Sequence, residues 1–334
     1  TSTNSSIGLI YALKKIFNKI NKIKDMNINL NIMRPKGFHK EINQNLLKSI
    51  IRVSRGSGWK KINKCPICSS AKYIFWLKKY NQVINKCLNC DTGFTKLIPK
   101  DLNDVYNHKD QFKHHQNSYE KNRYYRIKRF GSERVNLLKK FKKKGKLVDI
   151  GCGNGWFLEA AKKFFFCSGL EFNKSLAQFT EQKLQIPIHQ KIFELDDKSY
   201  DIITLFDVIE HVENPIILIK NLTKKLKKGG IILIYTPNKN SAGFDYMREN
   251  QNLVIPPYHL TYFCSKSFKF FPRNLKIIYE KTFGLDIGDI YAYERDVSKK
   301  TDLARSLKKN ANAIQGITDR LGYGNHIRLI LKKI

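Results

Sequence analysis

The chain has 334 residues and a formal net charge of +34, with 62 Lys and Arg against 28 Asp and Glu. Such a charge by default suggests nucleic acid or an anionic surface as a partner, but the lysines are scattered along the whole chain, so charge alone assigns no such function. No stretch is long and apolar enough to span a bilayer, which excludes a transmembrane protein and predicts a soluble, cytoplasmic one.

Residues 1–60 form a predicted basic extension. Its acids are Asp25 and Glu41, and apolar residues recur at helical spacing among lysines from Ile7 to Ile23. A membrane-surface helix, a remnant of organellar targeting and a flexible extension all fit this pattern. A solvated basic helix is the simplest interpretation.

Two C-x-x-C pairs characterise residues 61–100, which we predict to be a zinc ribbon. The pairs are Cys65 with Cys68 and Cys87 with Cys90, and a β-hairpin is predicted between them from Tyr73 to Ile84. This spacing is typical of four thiolates that converge on one tetrahedral Zn²⁺ ion, and a closed shell of that kind is structural. Disulfides are the alternative, but they need an oxidising compartment that no signal peptide indicates.

An aromatic-rich stretch from Tyr106 to Phe130 follows, within a predicted helical linker or lid over residues 101–140. It contains Tyr119, Tyr124, Tyr125 and Arg126. Aromatic residues at such spacings more often pack on neighbouring elements than act in chemistry, so no single tyrosine is assigned a catalytic role.

A glycine-rich loop opens the predicted catalytic domain, residues 141–334. An apolar strand ends at Asp149, and G-x-G-x-G runs from Gly151 to Gly155 into an amphipathic helix. Glycines let the backbone turn tightly and approach a ligand closely. A dinucleotide loop would have a further glycine where this chain has Trp156. The pattern resembles the S-adenosylmethionine loop of class I methyltransferases.

Strands and helices alternate after this loop. A second short strand leads to Glu171, whose carboxylate could accept both ribose hydroxyls, and Tyr200–Phe206 is typical of a strand covered on both faces. Asn214 and Pro215 begin a helix that is predicted to run through Leu226, and another buried strand follows. This alternation predicts an α/β fold, a doubly wound parallel sheet with helices on both faces.

The whole block resembles small-molecule class I methyltransferases of the ubiquinone-biosynthesis and sugar-methyltransferase type. The matching segments are Val148–Gly155, Leu170–Glu171, Tyr200–Val212, Leu226–Gly230, Thr236–Asn238, His259–Phe263 and Gly324–Lys332. With the ribbon ahead of it, the arrangement is similar to sugar C-methyltransferases. The resemblance implies a Rossmann-like fold, S-adenosylmethionine as cofactor, and methyl transfer to carbon or oxygen of a small molecule, an anionic sugar derivative above all.

The resemblance also implies a set of cofactor contacts. The expected residues are Asp149, Gly151, Cys152, Gly153, Gly155, Glu171, Phe172, Ile192 and Phe206. In such enzymes an acid after the third strand often holds the adenine amino group, whereas this chain has Lys191, which cannot accept that hydrogen bond. Either the alignment shifts by a residue or two, or the backbone near Ile192 takes this role, or the adenine site is weakened.

His259 is the candidate base that removes the acceptor's proton, since it lies in a loop beyond the fifth strand, where substrates are expected to enter. A structural histidine is the alternative. Asp207, Glu210 and His211 have the spacing of one helical face. In the ubiquinone-type relatives the corresponding residues are implicated in binding a divalent metal, and packing at a helix start is the simpler role here.

Two other functions stay open at this point. RNA methylation fits the charge and a zinc ribbon, but Phe206-Asp207-Val208 replaces the Asn/Asp-Pro-Pro-aromatic motif that would hold a flipped base. A non-enzymatic scaffold with a degenerate cofactor site is supported only by Lys191.

Overall fold

The computed structural model describes residues 29–106 and 122–334. The predicted helix from Ile7 to Ile23 and the side chain of Tyr119 lie outside these ranges. Among the helices that are described, none combines the length and apolarity needed to cross a bilayer.

The described part of the N-terminal extension is folded. It forms α1 (Leu30–Met33) and α2 (Phe38–Arg55). The Asn29 side chain caps α1 by accepting hydrogen bonds from backbone N–H groups of its first turn. Because α2 buries Leu46 and Val53 against the rest of the protein, residues 38–55 are a packed helix rather than a flexible extension.

The ribbon is built on short antiparallel strands. Strand β1 (Trp59–Lys61) pairs with a later strand, and β2 (Tyr73–Lys79) pairs with β3 (Gln82–Cys87) as the predicted hairpin. Its two-residue turn, Tyr80-Asn81, has φ of 47° and 64°, the left-handed backbone of a tight hairpin. Strand β4 (Gly93–Thr95) pairs with β3, and β5 (Leu97–Pro99) is the partner of β1.

The linking stretch is helical where it is described. Helix α3 (Asn103–Tyr106) precedes it, and residues 122–126 lead through a π-helical turn, Ile127–Gly131, into α4 (Ser132–Lys139). This continuous segment lies along the glycine-loop helix, where Gly131 packs so closely that a Cβ would lie 2.9 Å from that of Ala160.

A central sheet follows, and the described residues contribute seven strands to it in the order β12-β13-β10-β9-β6-β7-β8. The strands are β6 (Lys146–Ile150), β7 (Phe166–Leu170), β8 (Ile188–His189), β9 (Tyr200–Phe206), β10 (Leu226–Pro237), β12 (Leu275–Phe283) and β13 (His326–Lys333). The five from β6 to β10 are parallel, whereas β13 runs antiparallel to both neighbours. The predicted doubly wound α/β sheet is confirmed.

Helices cover both faces of this sheet. Beside α4 they are α5 (Trp156–Ala161), α6 (Lys174–Leu184) and α7 (Pro215–Lys225), whereas α8 (Ala242–Met247), α9 (Asp286–Tyr293) and α10 (Thr301–Arg320) contribute to a separate cluster with Leu30. Alternate residues of β9 enter opposite cores, with Ile203 in one cluster and Ile202 in the other. Each fully buried side chain of this size contributes about 2 kcal/mol, so packing on both faces stabilises the sheet that carries the loops.

The predicted end of α7 is wrong by one residue. Leu226 belongs to β10 and pairs with Tyr200, and a register shift follows before Ile231. The Lys-Lys-Gly-Gly stretch therefore lies inside an irregular strand, because its backbone continues the sheet instead of only ending the helix.

The ribbon sheet is completed by a segment from the C-terminal half of the chain. Strand β11 (Thr261–Tyr262) pairs antiparallel with β4, and the Thr95 N–H donates to the Leu260 carbonyl at 2.9 Å. A ribbon of residues 61–100 thus acquires its fourth strand from a segment more than 150 residues away in sequence. This pairing fixes the loop that carries His259.

Candidate cofactor and acceptor site

The glycine loop connects β6 to α5 with left-handed backbone at Gly151, Gly153 and Gly155. A Cβ at Gly151 would lie 2.6 Å from Val208 and one at Gly155 would lie 2.5 Å from Leu184, whereas nothing lies within 4 Å of a Cβ at Gly153. Packing therefore requires the outer two glycines. The middle one borders open space in which a ligand can approach the backbone.

Glu171 follows β7 directly and is held against this loop. Its Oε2 accepts the Gly153 N–H at 3.0 Å, and Oε1 accepts the Asn173 N–H at 2.9 Å. Burial raises the pKa of Glu171, and these backbone donors oppose that shift. The predicted carboxylate and the predicted loop therefore meet at the carboxyl edge of the sheet.

The side chains of Asp149 and Cys152 lie beneath the loop rather than on its open side. Asp149 is 3% exposed and accepts the Thr204 hydroxyl at 2.6 Å, and burial raises its pKa to about 7. Cys152 is also buried. Their expected contact with a cofactor can be made by backbone atoms, while the side chains shape the turn.

The other expected contacts surround the loop. Phe172 is 55% exposed beyond β7, and Phe206 ends β9 with its ring 4.7 Å from that of Phe157. Ile192 begins a short 3₁₀ turn that also contains Glu194. An acid therefore does stand three residues beyond Lys191, but its carboxylate accepts backbone N–H groups of its own turn.

The residues after β9 do not form the predicted helical face. Asp207 has a φ of 57°, and only a 3₁₀ turn, Ile209–His211, follows. Asp207 pairs with His326 Nε2 on β13 at 3.1 Å and lies 4.0 Å from Arg134. The predicted helical face is therefore wrong, although Asp207 still lies near Glu210 and His211 and interacts with the charge of both.

Glu210 and His211 instead meet His259, with one ligand atom from each lying within 4.8 Å of the others. Glu210 is fully buried, and its Oε2 accepts the Thr236 hydroxyl at 2.9 Å. Its Oε1 has no hydrogen-bond partner among the described residues. Burial and the nearby Asp207 raise the pKa of Glu210 well above its usual value.

Both histidines are oriented by backbone carbonyl groups. His211 Nδ1 lies 2.7 Å from the Tyr258 oxygen, and His259 Nδ1 lies 2.8 Å from the Leu253 oxygen. Since a carbonyl only accepts, each Nδ1 carries the proton and each Nε2 is the basic nitrogen. Burial lowers the pKa of both rings, so both are neutral at pH 7.

His259 does lie in a loop after β10, as the sequence predicts, but it is only 4% exposed and lies behind the ribbon. The pairing of β11 with β4 covers it, and its ring centroid lies 4.8 Å from that of His211. The side chain of His211 is 24% exposed. His211 is therefore the more accessible imidazole. The sequence suggests for it only packing at a helix start or, as the alternative, metal binding.

Glu210, His211 and His259 also suit a divalent cation. Two neutral imidazoles and a carboxylate are a donor set that divalent transition metals accept, and the unpartnered Glu210 Oε1 is the atom that such an ion would satisfy. Protonation of Glu210 meets the same need without a metal.

The four ribbon cysteines are free thiols that lie close together. Cys65 and Cys90 have sulfur atoms 3.4 Å apart, those of Cys68 and Cys87 are 3.5 Å apart, and all four lie within 4.8 Å of one another. Thiolates around Zn²⁺ at about 2.3 Å have edges of about 3.8 Å, whereas a disulfide is about 2.05 Å. The geometry fits zinc and contradicts the disulfide alternative.

Comparison with known proteins gives a family and a set of relatives. Residues 92–274 match the methyltransferase domain family. The ubiquinone biosynthesis O-methyltransferase of Coxiella burnetii is 34% identical over 113 residues, 31% of this chain and 48% of that protein. The enzyme of the same name from Pelagibacter ubique is 33% identical over 125 residues, covering 33% and 52%. The chain spans about half the length of these relatives.

Solved structures are similar at a lower level. A plantazolicin methyltransferase in complex with SAH is 19% identical with a TM-score of 0.44, covering 69% of this chain and 93% of that one. A SAM-dependent methyltransferase from Archaeoglobus fulgidus is 21% identical with a TM-score of 0.40, covering 60% and 92%.

Proposed function

The chain belongs to the methyltransferase domain family, and from this premise we propose that it transfers a methyl group from S-adenosylmethionine to carbon or oxygen of a small molecule. The observation that carries the proposal is the cradle at the carboxyl ends of β6 and β7. There Gly153 leaves room for a ligand, and the carboxylate of Glu171 lies 3.0 Å from its N–H. Ligands of doubly wound sheets bind at this edge.

The expected contacts suggest how the cofactor would lie. Glu171 would accept the ribose hydroxyls, and the adenine would extend toward Phe172 and the Ile192 turn. The methionyl group would then lie over β6 and β9. Arg134 stands there, with its guanidinium 4.0 Å over the Phe206 ring. A guanidinium suits the methionyl carboxylate.

Sequence reasoning did not identify Arg134. It lies on α4, ahead of the glycine loop, and no motif distinguishes it from the many other basic residues of the chain. Its position follows only from the packing of α4 over the ends of β9 and β10, where its guanidinium lies over the rings of Phe206 and Tyr235.

Proton removal falls to the histidine pair in this proposal. His211 Nε2 would accept the acceptor's proton, because it is basic, neutral at pH 7 and the more exposed of the two. His259, the base expected from the sequence, would not contact the acceptor but would position His211 through the contact between their rings. Methyl transfer itself needs mainly alignment, since the sulfonium methyl is already activated.

Metals have separate places in the proposal. Cys65, Cys68, Cys87 and Cys90 would hold a structural Zn²⁺ ion. Glu210, His211 and His259 could instead hold a divalent cation, but His211 Nε2 would then be a metal ligand and not the proton acceptor. Such an ion, when bound, polarises an acceptor oxygen. A sugar derivative is the favoured acceptor, because a four-cysteine ribbon ahead of this core is similar to sugar C-methyltransferases.

The cradle can be tested by calorimetry with S-adenosylhomocysteine. Gly153→Ala places a methyl group in the open space and should weaken binding by about tenfold or more, a loss of about 1.4 kcal/mol. Gly58→Ala is the matched control, because its φ of 78° carries the same backbone strain and nothing lies within 4 Å of the added Cβ. Absence of heat with the unaltered protein, or equal weakening by both substitutions, would refute the proposal.

A further inference from the structure

Arg126 lies in the helical segment of residues 122–139, which packs along α5 beside the glycine loop. Its guanidinium carbon stands 4.0 Å over the ring of Trp156, the first residue of α5 after the glycine loop. The adjacent Tyr125 hydroxyl accepts the Asn29 N–H at 3.2 Å, which brings the N-terminal extension onto the same helical segment. Arg126 therefore lies between the cofactor loop and the extension.

Two neighbouring donors at this point have no acceptor. Within residues 29–106 and 122–334, neither Arg126 Nε nor Trp156 Nε1 has a hydrogen-bond partner, although both atoms are enclosed. A buried donor left unpaired costs about 1–3 kcal/mol. Both groups donate only, so what satisfies them must be an acceptor, and a guanidinium prefers an oxyanion.

The charges around Arg126 do not balance. Arg34 forms an ion pair with Asp289, and Arg134 lies 4.0 Å from Asp207, which also pairs with His326. In the described ranges no carboxylate pairs with Arg126. Burial is the first cause that lowers the pKa of Arg126, to about 10; repulsion from Arg134 and Arg34 lowers it further, and Asp207 opposes the shift.

The cofactor would not correct this imbalance. The methionyl end of S-adenosylmethionine carries one carboxylate and one ammonium group, which cancel, and its sulfonium adds a positive charge. If Arg134 takes the methionyl carboxylate, Arg126 still has no counter-charge. An anionic group on the second substrate would supply that counter-charge.

We propose that Arg126 and Trp156 Nε1 bind an oxyanion group, a carboxylate or a phosphate, on the acceptor. This inference rests on the proposed function and narrows its substrate class to anionic small molecules. The guanidinium would form paired hydrogen bonds to the oxyanion, and the indole N–H would add a third. The positive field of the whole chain would raise the local concentration of such acceptors.

The test uses the full chain saturated with S-adenosylhomocysteine and titrated with two probes, inorganic pyrophosphate and benzoate. At least one should bind, and the stronger identifies phosphate or carboxylate as the group that is recognised. Arg126→Gln should weaken binding of that probe by about tenfold or more, as expected for the loss of a hydrogen bond to a charged group. Trp156→Phe keeps an aromatic ring but removes the N–H donor, and it should weaken binding of the same probe by about threefold to tenfold.

Two controls separate the site from bulk charge. Arg305→Gln removes an exposed arginine that pairs with Asp302 on α10, and it should leave probe binding unchanged. Arg126→Lys keeps the charge without the planar fork and should restore only part of the affinity. Equal loss from Arg126→Gln and Arg305→Gln would overturn the proposal in favour of a diffuse field.

Affinity for S-adenosylhomocysteine distinguishes failure of this inference from failure of the proposed function. Arg126→Gln should leave that affinity within about twofold, a change of less than 0.5 kcal/mol. If the substitution instead weakens binding of S-adenosylhomocysteine and leaves binding of both probes unchanged, the guanidinium binds the cofactor carboxylate and the acceptor inference is wrong. If the unaltered protein does not bind S-adenosylhomocysteine, the proposed function itself fails.

Discussion

The glycine cradle and the histidine cluster are assembled in opposite ways. The cradle is local, since its loop lies between Asp149 and Gly155 and its carboxylate, Glu171, follows on the next strand. The cluster of Glu210, His211 and His259 depends on a distant segment, because β4 of the ribbon pairs with β11 beside His259. Cofactor binding should therefore survive damage to the ribbon, whereas catalysis should not.

Removal of zinc is the strongest test of this contrast. Binding of a structural zinc ion is worth about 10 kcal/mol or more, so chelation or Cys87→Ser should unfold the ribbon. The Thr95 hydroxyl, which donates to the His259 carbonyl at 2.9 Å, would then lose its position. Methyl transfer should fall below detection while S-adenosylhomocysteine still binds, measured by calorimetry beside metal analysis.

The contrast would be broken if cofactor affinity fell in parallel with zinc content. Cys167→Ser is the control for thiol substitution, because Cys167 lies on β7, away from the four ribbon sulfurs. It should retain both zinc and activity.

The histidine pair should show the next largest effect. His211→Asn removes the proposed proton acceptor and should lower kcat by about 100-fold or more, with little change in S-adenosylhomocysteine affinity. His259→Asn should lower kcat less, because His259 acts through the ring of His211. A greater loss from His259→Asn than from His211→Asn would restore His259 as the direct base.

Substitution of Asp149, which lies beneath the glycine loop, should have the smallest effect, and this effect is on stability. Burial raises its pKa to about 7, above its unfolded value of about 3.9, so the native state binds more protons in between. Its contribution to stability is complete below about pH 4 and is lost as the pH rises through 7.

Asp149→Asn should therefore raise the melting temperature by a few degrees at pH 8, relative to the unaltered protein, and less at pH 5. The amide oxygen can still accept the Thr204 hydroxyl, so the hydrogen bond to β9 is kept. A melting-temperature difference that did not change between these pH values would show that Asp149 is ionised in the folded protein throughout.

Segments with local signals were predicted closely. Strand β9 begins and ends at the predicted residues, Tyr200 and Phe206, because a run covered on both faces is mostly apolar. The hairpin between the cysteine pairs is also confirmed. The turn after β9 was predicted wrongly, since helical spacing on its own does not reveal the positive φ of Asp207.

The sequence by itself determined the fold class, the glycine loop with its carboxylate, and the four-cysteine ribbon. Each depends on residues that lie close together in the sequence, and their backbone or metal chemistry allows few alternatives. Tertiary structure alone decided that His259 is buried behind the ribbon, that His211 is the more exposed ring, and that Arg126 stacks on Trp156 and Arg134 on Phe206. These depend on pairings between distant segments, such as β4 with β11, whose contacts leave no periodic pattern in the sequence.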